Sequence, residues 1–216
     1  MSSLSVVSVW NMALNHAGVG RTVQDVSENS SEARVCRQFY DSCRRALLEA
    51  YPWNFACTSV SLAPVASGCG SAEGQEAPAV QSLSRSFGRM PFVFAYPPKA
   101  LRVVSVFDLE DKCPCRFAVA YGESSRLIAA DAPVAFASVI YDVEDPCLFP
   151  PLFAEALALR LACDIISPLT GGSMQTRQML YQLAETKVNK AVVALANEQN
   201  QLDSEQAFDV YSEARR

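Results

Sequence analysis

The 216-residue chain holds a single histidine, His16, and no C-x-x-C pair. Each lack removes a class of chemistry. A serine-type hydrolase needs an imidazole base beside its nucleophile and an acid to orient that base. His16 stands just before Gly18 at the end of a helical run, the place of a capping or surface side chain, and no G-x-S-x-G supplies a nucleophile. Zinc asks for Cys and His at ligand spacing, which the chain does not offer, so neither a metal nor a cofactor is expected. Long apolar runs are missing as well. The most apolar stretch, "PLFAEALALRLACDII", is interrupted by Glu155, Arg160 and Asp164, whereas a bilayer crossing takes about 18 apolar residues or more. "MSSLSVVSVWNMAL" carries no Lys or Arg ahead of its apolar part, so a secretory signal and a membrane partner are not expected. Basic charge is scarce: 18 Lys and Arg stand against 23 Asp and Glu, a net charge of −5. That balance argues against a protein that grips nucleic acid over an extended face. The glycine pairs are bare too. "GVGRT" follows a helix and lacks the third glycine of a dinucleotide loop, and "LTGGSMQ" has no Lys after its glycines. Both are expected to be turns.

Half of the residues are hydrophobic and 19% are charged, enough apolar material for a sizeable core. The eight cysteines include Cys36, Cys43 and Cys163 inside helical patterns and a C-P-C at Cys113 and Cys115. They read as reduced thiols packing as small hydrophobes.

Periodicity divides the chain. Residues 4 to 17 show helical spacing, with Trp10, Ala13, Leu14 and Ala17 on one face and Gly18 as the stop. A second helix starts at a capping-box-like Asn29 and Glu32. Its buried face is expected to run through Cys36, Phe39, Tyr40, Cys43, Leu47 and Ala50. Pro52 then forbids continuation. From about residue 57 the period becomes that of strands, in "TSVSLAPV", "PFVFAY", "ALRVVSVFDL", "RFAVAY", "RLIAA" and "VAFASVIY". A small, polar, Gly-containing stretch at 66 to 86 reads as a long loop, and "AYGESSRL" as a hairpin. Helix returns after Pro150 and Pro151 with a stripe of Leu152, Ala156, Leu159, Cys163 and Ile166. "SPLTGGS" is expected to turn the chain into a last long helix with Leu180, Ala184, Val188, Ala191 and Leu195 facing in. The predicted class is α+β: a helical bundle from N- and C-terminal helices with a β-rich insertion, a small sheet or barrel-like. The expected divisions are 1–57, 58–145, 146–199 and a C-terminal arm or helix at 200–216.

Two constellations carry functional expectations. In "RALLEAYPWNFA" a helix runs into a knot of rings, Tyr51, Trp53 and Phe55 around Pro52. Trp53 and Phe55, with Phe39 and Leu47, are read as structural core that pins the second helix against the start of the β part. In the tail, Leu202, Phe208 and Tyr211 are apolar anchors inside a polar segment, the pattern of a strip that orders on a partner. A helix folding back on its own bundle explains the same residues. Asp142, Glu144 and Asp145, or Glu110 and Asp111, are the acids whose pairing would suit a glycosidase, although acids at strand ends are usually solvated turn residues.

Taken in order, "WNMALNHAGVG", "SSEARVCRQFYDSCRRALLEAYPWNFA", "FAYPPKALRVVSVF" and "RLIAADAPVAFASVIYDVEDPCLFPPLFAEALALRLACDI" resemble the tail tubular protein A family of short-tailed bacteriophages. These are the head-to-tail adaptor ring proteins. The resemblance covers nearly the whole chain and rests on the order and spacing of its pieces. It departs at Pro98-Lys99-Ala100, where relatives often carry a more acidic turn, and in the loop at 66 to 86. It implies a structural virion protein and not an enzyme, assembled in the host bacterial cytoplasm and placed at the neck of the particle. It further implies a ring under the portal that matches its twelve-fold symmetry, a dodecamer whose partners are further copies of itself, the portal protein and the tail nozzle protein. DNA would pass through its lumen without specific binding. The alternatives to this expectation are a virion-associated carboxylate-type glycan hydrolase and another phage connector or head-completion protein.

Overall fold

The computed structural model describes residues 4–66, 90–108, 113–121 and 125–213, with side chains placed up to residue 196. The chain is α+β. Among the described residues it forms four α-helices and two antiparallel sheets, divided into a helical unit of residues 1–55 and 143–216 and a β unit of residues 56–142.

The helical unit begins with α1 (Val6–His16). Ser5 and Ser8 cap it reciprocally, each side-chain oxygen accepting from the other's main-chain N–H at 3.1 and 2.9 Å. Helix α2 (Ser31–Ala50) is capped by Ser30, whose hydroxyl accepts from the Ala33 N–H. The cap therefore lies one residue beyond the expected Asn29. Serine is as good an N-cap as asparagine, so two candidate caps in succession left the boundary open by one. Tyr51 is extended, as a residue before proline must tend to be, and the helix stops there.

After a short 3-10 turn (Pro146–Leu148), helix α3 (Pro151–Thr170) packs against α1, α2 and α4. Being surrounded, it buries Phe153, Ala154, Leu157, Leu161 and Ile165 in addition to the expected Ala156, Leu159, Cys163 and Ile166. Leu152, expected in the stripe, is instead exposed at 38%, while its neighbours Phe153 and Ala154 in the same first turn are buried. The expected turn at "SPLTGGS" also begins later. The helix continues through Pro168, whose missing N–H falls in the last turn, and ends at Gly171 in the left-handed conformation (φ 62°). In the same turn the Thr170 hydroxyl donates to the Ile166 carbonyl at 2.8 Å. Helix α4 (Met174–Glu213) presents Ala184, Val188 and Ala191 inward, with Leu180 and Leu195 half-buried. No helix among the described residues is long and apolar enough to cross a membrane.

Among its described residues the β unit holds eight strands: β1 (Cys57–Ser61), β2 (Pro64–Ala66), β3 (Phe92–Ala95), β4 (Ala100–Asp108), β5 (Pro114–Cys115), β6 (Phe117–Tyr121), β7 (Arg126–Ala130) and β8 (Ala135–Tyr141). One sheet runs β1-β8-β4-β5 and the other β2-β3-β7-β6, and no barrel closes among the described residues. "TSVSLAPV" is two strands, not one. Leu62 and Ala63 carry the chain from the first sheet to the second, with Leu62 donating to Ala135 and Ala63 accepting from Ala95. Leu62, Phe94, Val103, Val106, Ile128 and Val139 meet in one core drawn from both sheets. The hairpin expected at "AYGESSRL" is present as the β6–β7 pair, with Tyr121 opposite Arg126. The register of β4 slips between Ala100 and Arg102. There the Arg126 guanidinium, stacked 4.0 Å from the Tyr96 ring centre, donates to the carbonyls of Ala100 and Leu101.

Candidate functional site

The aromatic exit of α2 is the most heavily built part of the helical unit. Trp53 is 1% exposed and meets Phe153 edge to face, with ring centres 5.0 Å apart. Phe55 is half-buried and lies 5.0 Å from Phe153 and 6.0 Å from Phe149. Tyr51 packs on the outer side of Trp53 at 5.8 Å. These rings, expected to pin α2, have ring partners inside the helical unit. Their described partners are Phe149 and Phe153, where the chain re-enters the helical unit, so the cluster ties its two separated halves together. Leu47 is buried, as a core residue should be, but Phe39 is only half-buried. It sits beside the stripe of Cys36, Tyr40, Cys43 and Leu47 instead of within it.

Two shallow apolar grooves flank Trp53. One of 210 Å³ lies between Pro150–Phe153 and the Ala191–Leu195 stretch of α4, and one of 160 Å³ between Tyr51–Asn54 and Val192–Ala196. Further along α4, Met179, Leu183 and Val193 are exposed. Met179 and Leu183 are four residues apart and so neighbours on the helix, turned away from the buried stripe. The side chains of Leu202, Phe208 and Tyr211 lie outside the described residues, although the main chain there is helical up to Glu213.

The carboxylates weighed as catalytic candidates fall in different parts of the chain. Asp145 caps the 3-10 turn by accepting from the Cys147 N–H at 2.9 Å. Asp142 belongs to the β unit and donates its main-chain N–H to Lys99, whereas Glu144 is an exposed residue of the helical unit. Glu110 and Asp111 lie outside the described residues, as do residues 67–86 of the expected loop. His16 is exposed at the end of α1. Among the described residues no group of three or more His, Cys, Asp or Glu could hold a metal ion.

The quoted segments have local structural tasks. Asn11 of "WNMALNHAGVG" grips Val23 with both ends of its amide, donating to the carbonyl and accepting from the N–H at 2.8 Å each. Gly18 takes a positive φ of 73° at the turn between them. Sequence reasoning missed Arg44. It is 2% exposed, donates to the Val143 carbonyl at 2.6 Å and pairs with Asp41 at 3.5 Å. Its signal was available: Arg44 follows Tyr40 by four residues and precedes Leu47 by three, on the buried face.

No protein-family model matches this chain, and no curated protein matches it either.

Proposed function

We propose that this protein is a head-to-tail adaptor subunit of the tail tubular protein A type, forming a ring between a phage portal and a tail nozzle. The observation that carries this reading is α4. At 40 residues it is about 60 Å long, and it bears two distinct apolar sets. Ala184, Val188 and Ala191 are buried within the helical unit, while Met179, Leu183 and Val193 stay exposed. A helix with more apolar surface than its own unit covers is suited to packing on another chain. Identical subunits joined head to tail through unlike surfaces close into a ring.

The order of elements and the resemblance of the quoted segments support the same reading. In such an assembly no bond is made or broken. The subunit supplies area, symmetry and a passage. The net charge of −5 suits a passage for DNA, because a negative wall repels phosphates instead of trapping them. Electron microscopy of the purified protein mixed with the portal protein of the same genome tests the proposal. Closed rings seated on portal particles are expected. Portal particles that stay bare at high concentrations of the protein would count against it, and the search would move to glycan hydrolysis.

A further inference from the structure

We draw no further inference here: the strongest candidate, the pair of shallow apolar grooves of 210 and 160 Å³ that flank Trp53 along α4, carries nothing because nothing in the structure shows what covers them.

Discussion

The indole N–H of Trp53 donates to the main-chain carbonyl of Leu47, six residues earlier, at 2.8 Å. Leu47 lies in the last turn of α2, where carbonyls have no partner within the helix. Trp53 is therefore a side-chain cap as well as the centre of the aromatic cluster.

Truncating Trp53 removes both roles. Trp53→Ala is expected to cost roughly 3–5 kcal/mol of unfolding free energy. Trp53→Phe, which keeps a ring and loses the bond, should cost less, though still about 1 kcal/mol or more. Urea unfolding of the two variants reads the difference. A Trp53→Ala protein as stable as wild type but unable to assemble would make Trp53 a contact residue instead.

The end of α3 offers a second, purely local prediction. A Cβ on Gly171 would meet nothing within 4 Å, but the backbone there has φ +62°. Gly171→Ala should thus destabilise by about 1–2 kcal/mol through strain alone. At Gly172 the φ is ordinary, yet a Cβ would stand 2.7 Å from Cγ1 of Ile166. Gly172→Ala should be costly through packing, and its added cost should shrink in an Ile166→Ala background, which removes that atom. Melting curves of Gly171→Ala, of Gly172→Ala and of the Ile166→Ala proteins with and without Gly172→Ala decide whether strain and crowding separate in this way.

Much of the architecture was legible because its signals are local. The change of period near residue 57, Pro52 after α2, and the paired prolines before α3 each act within a few residues. The misses arise where tertiary surroundings decide. Pro168 stays inside α3 because only its last turn is affected, which no propensity reveals. Leu62 and Ala63 break an alternating run because two sheets, not one, receive its halves. At the candidate site Trp53 was legible from its place after a helix stop. The pairing of its cluster with Phe149 and Phe153, about a hundred residues on, was not. Arg44 escaped notice because a charged residue on an apolar stripe is ordinarily assigned to solvent.

The thiols make stability depend on alkaline pH. Burial pushes Cys36 up to about 11, and burial together with its bond to Asp164 at 3.1 Å pushes Cys43 up to about 12, from an ordinary 9.0. Below pH 9 folded and unfolded thiols are both protonated and nothing changes. Above it the unfolded chain ionises while the native thiols hold their protons, so stability falls as pH rises towards 12. Tyr40, also pushed up to about 12, adds to the fall above pH 10. The melting temperature should therefore be level from pH 7 to 8.5 and decline beyond 9, less steeply in Cys43→Ala. Alkylation mapped by mass spectrometry should modify exposed Cys113 and Cys147 well before Cys36 and Cys43. Early modification of Cys43 would contradict this account.

On the adaptor proposal, docking through the tail is expected to be separable from folding. Deleting residues 200–216, with Leu202, Phe208 and Tyr211, should leave a protein with the melting temperature of the full chain that no longer binds the portal. Undiminished binding by the truncated protein would move the docking surface elsewhere, with the exposed Met179 and Leu183 of α4 next in line.

Sedimentation velocity of the purified protein, alone and mixed with the portal protein of the same genome, tests the adaptor proposal most directly. A single large species of fixed stoichiometry in the mixture is the predicted result. A monomer that ignores the portal across a range of salt concentrations would contradict it.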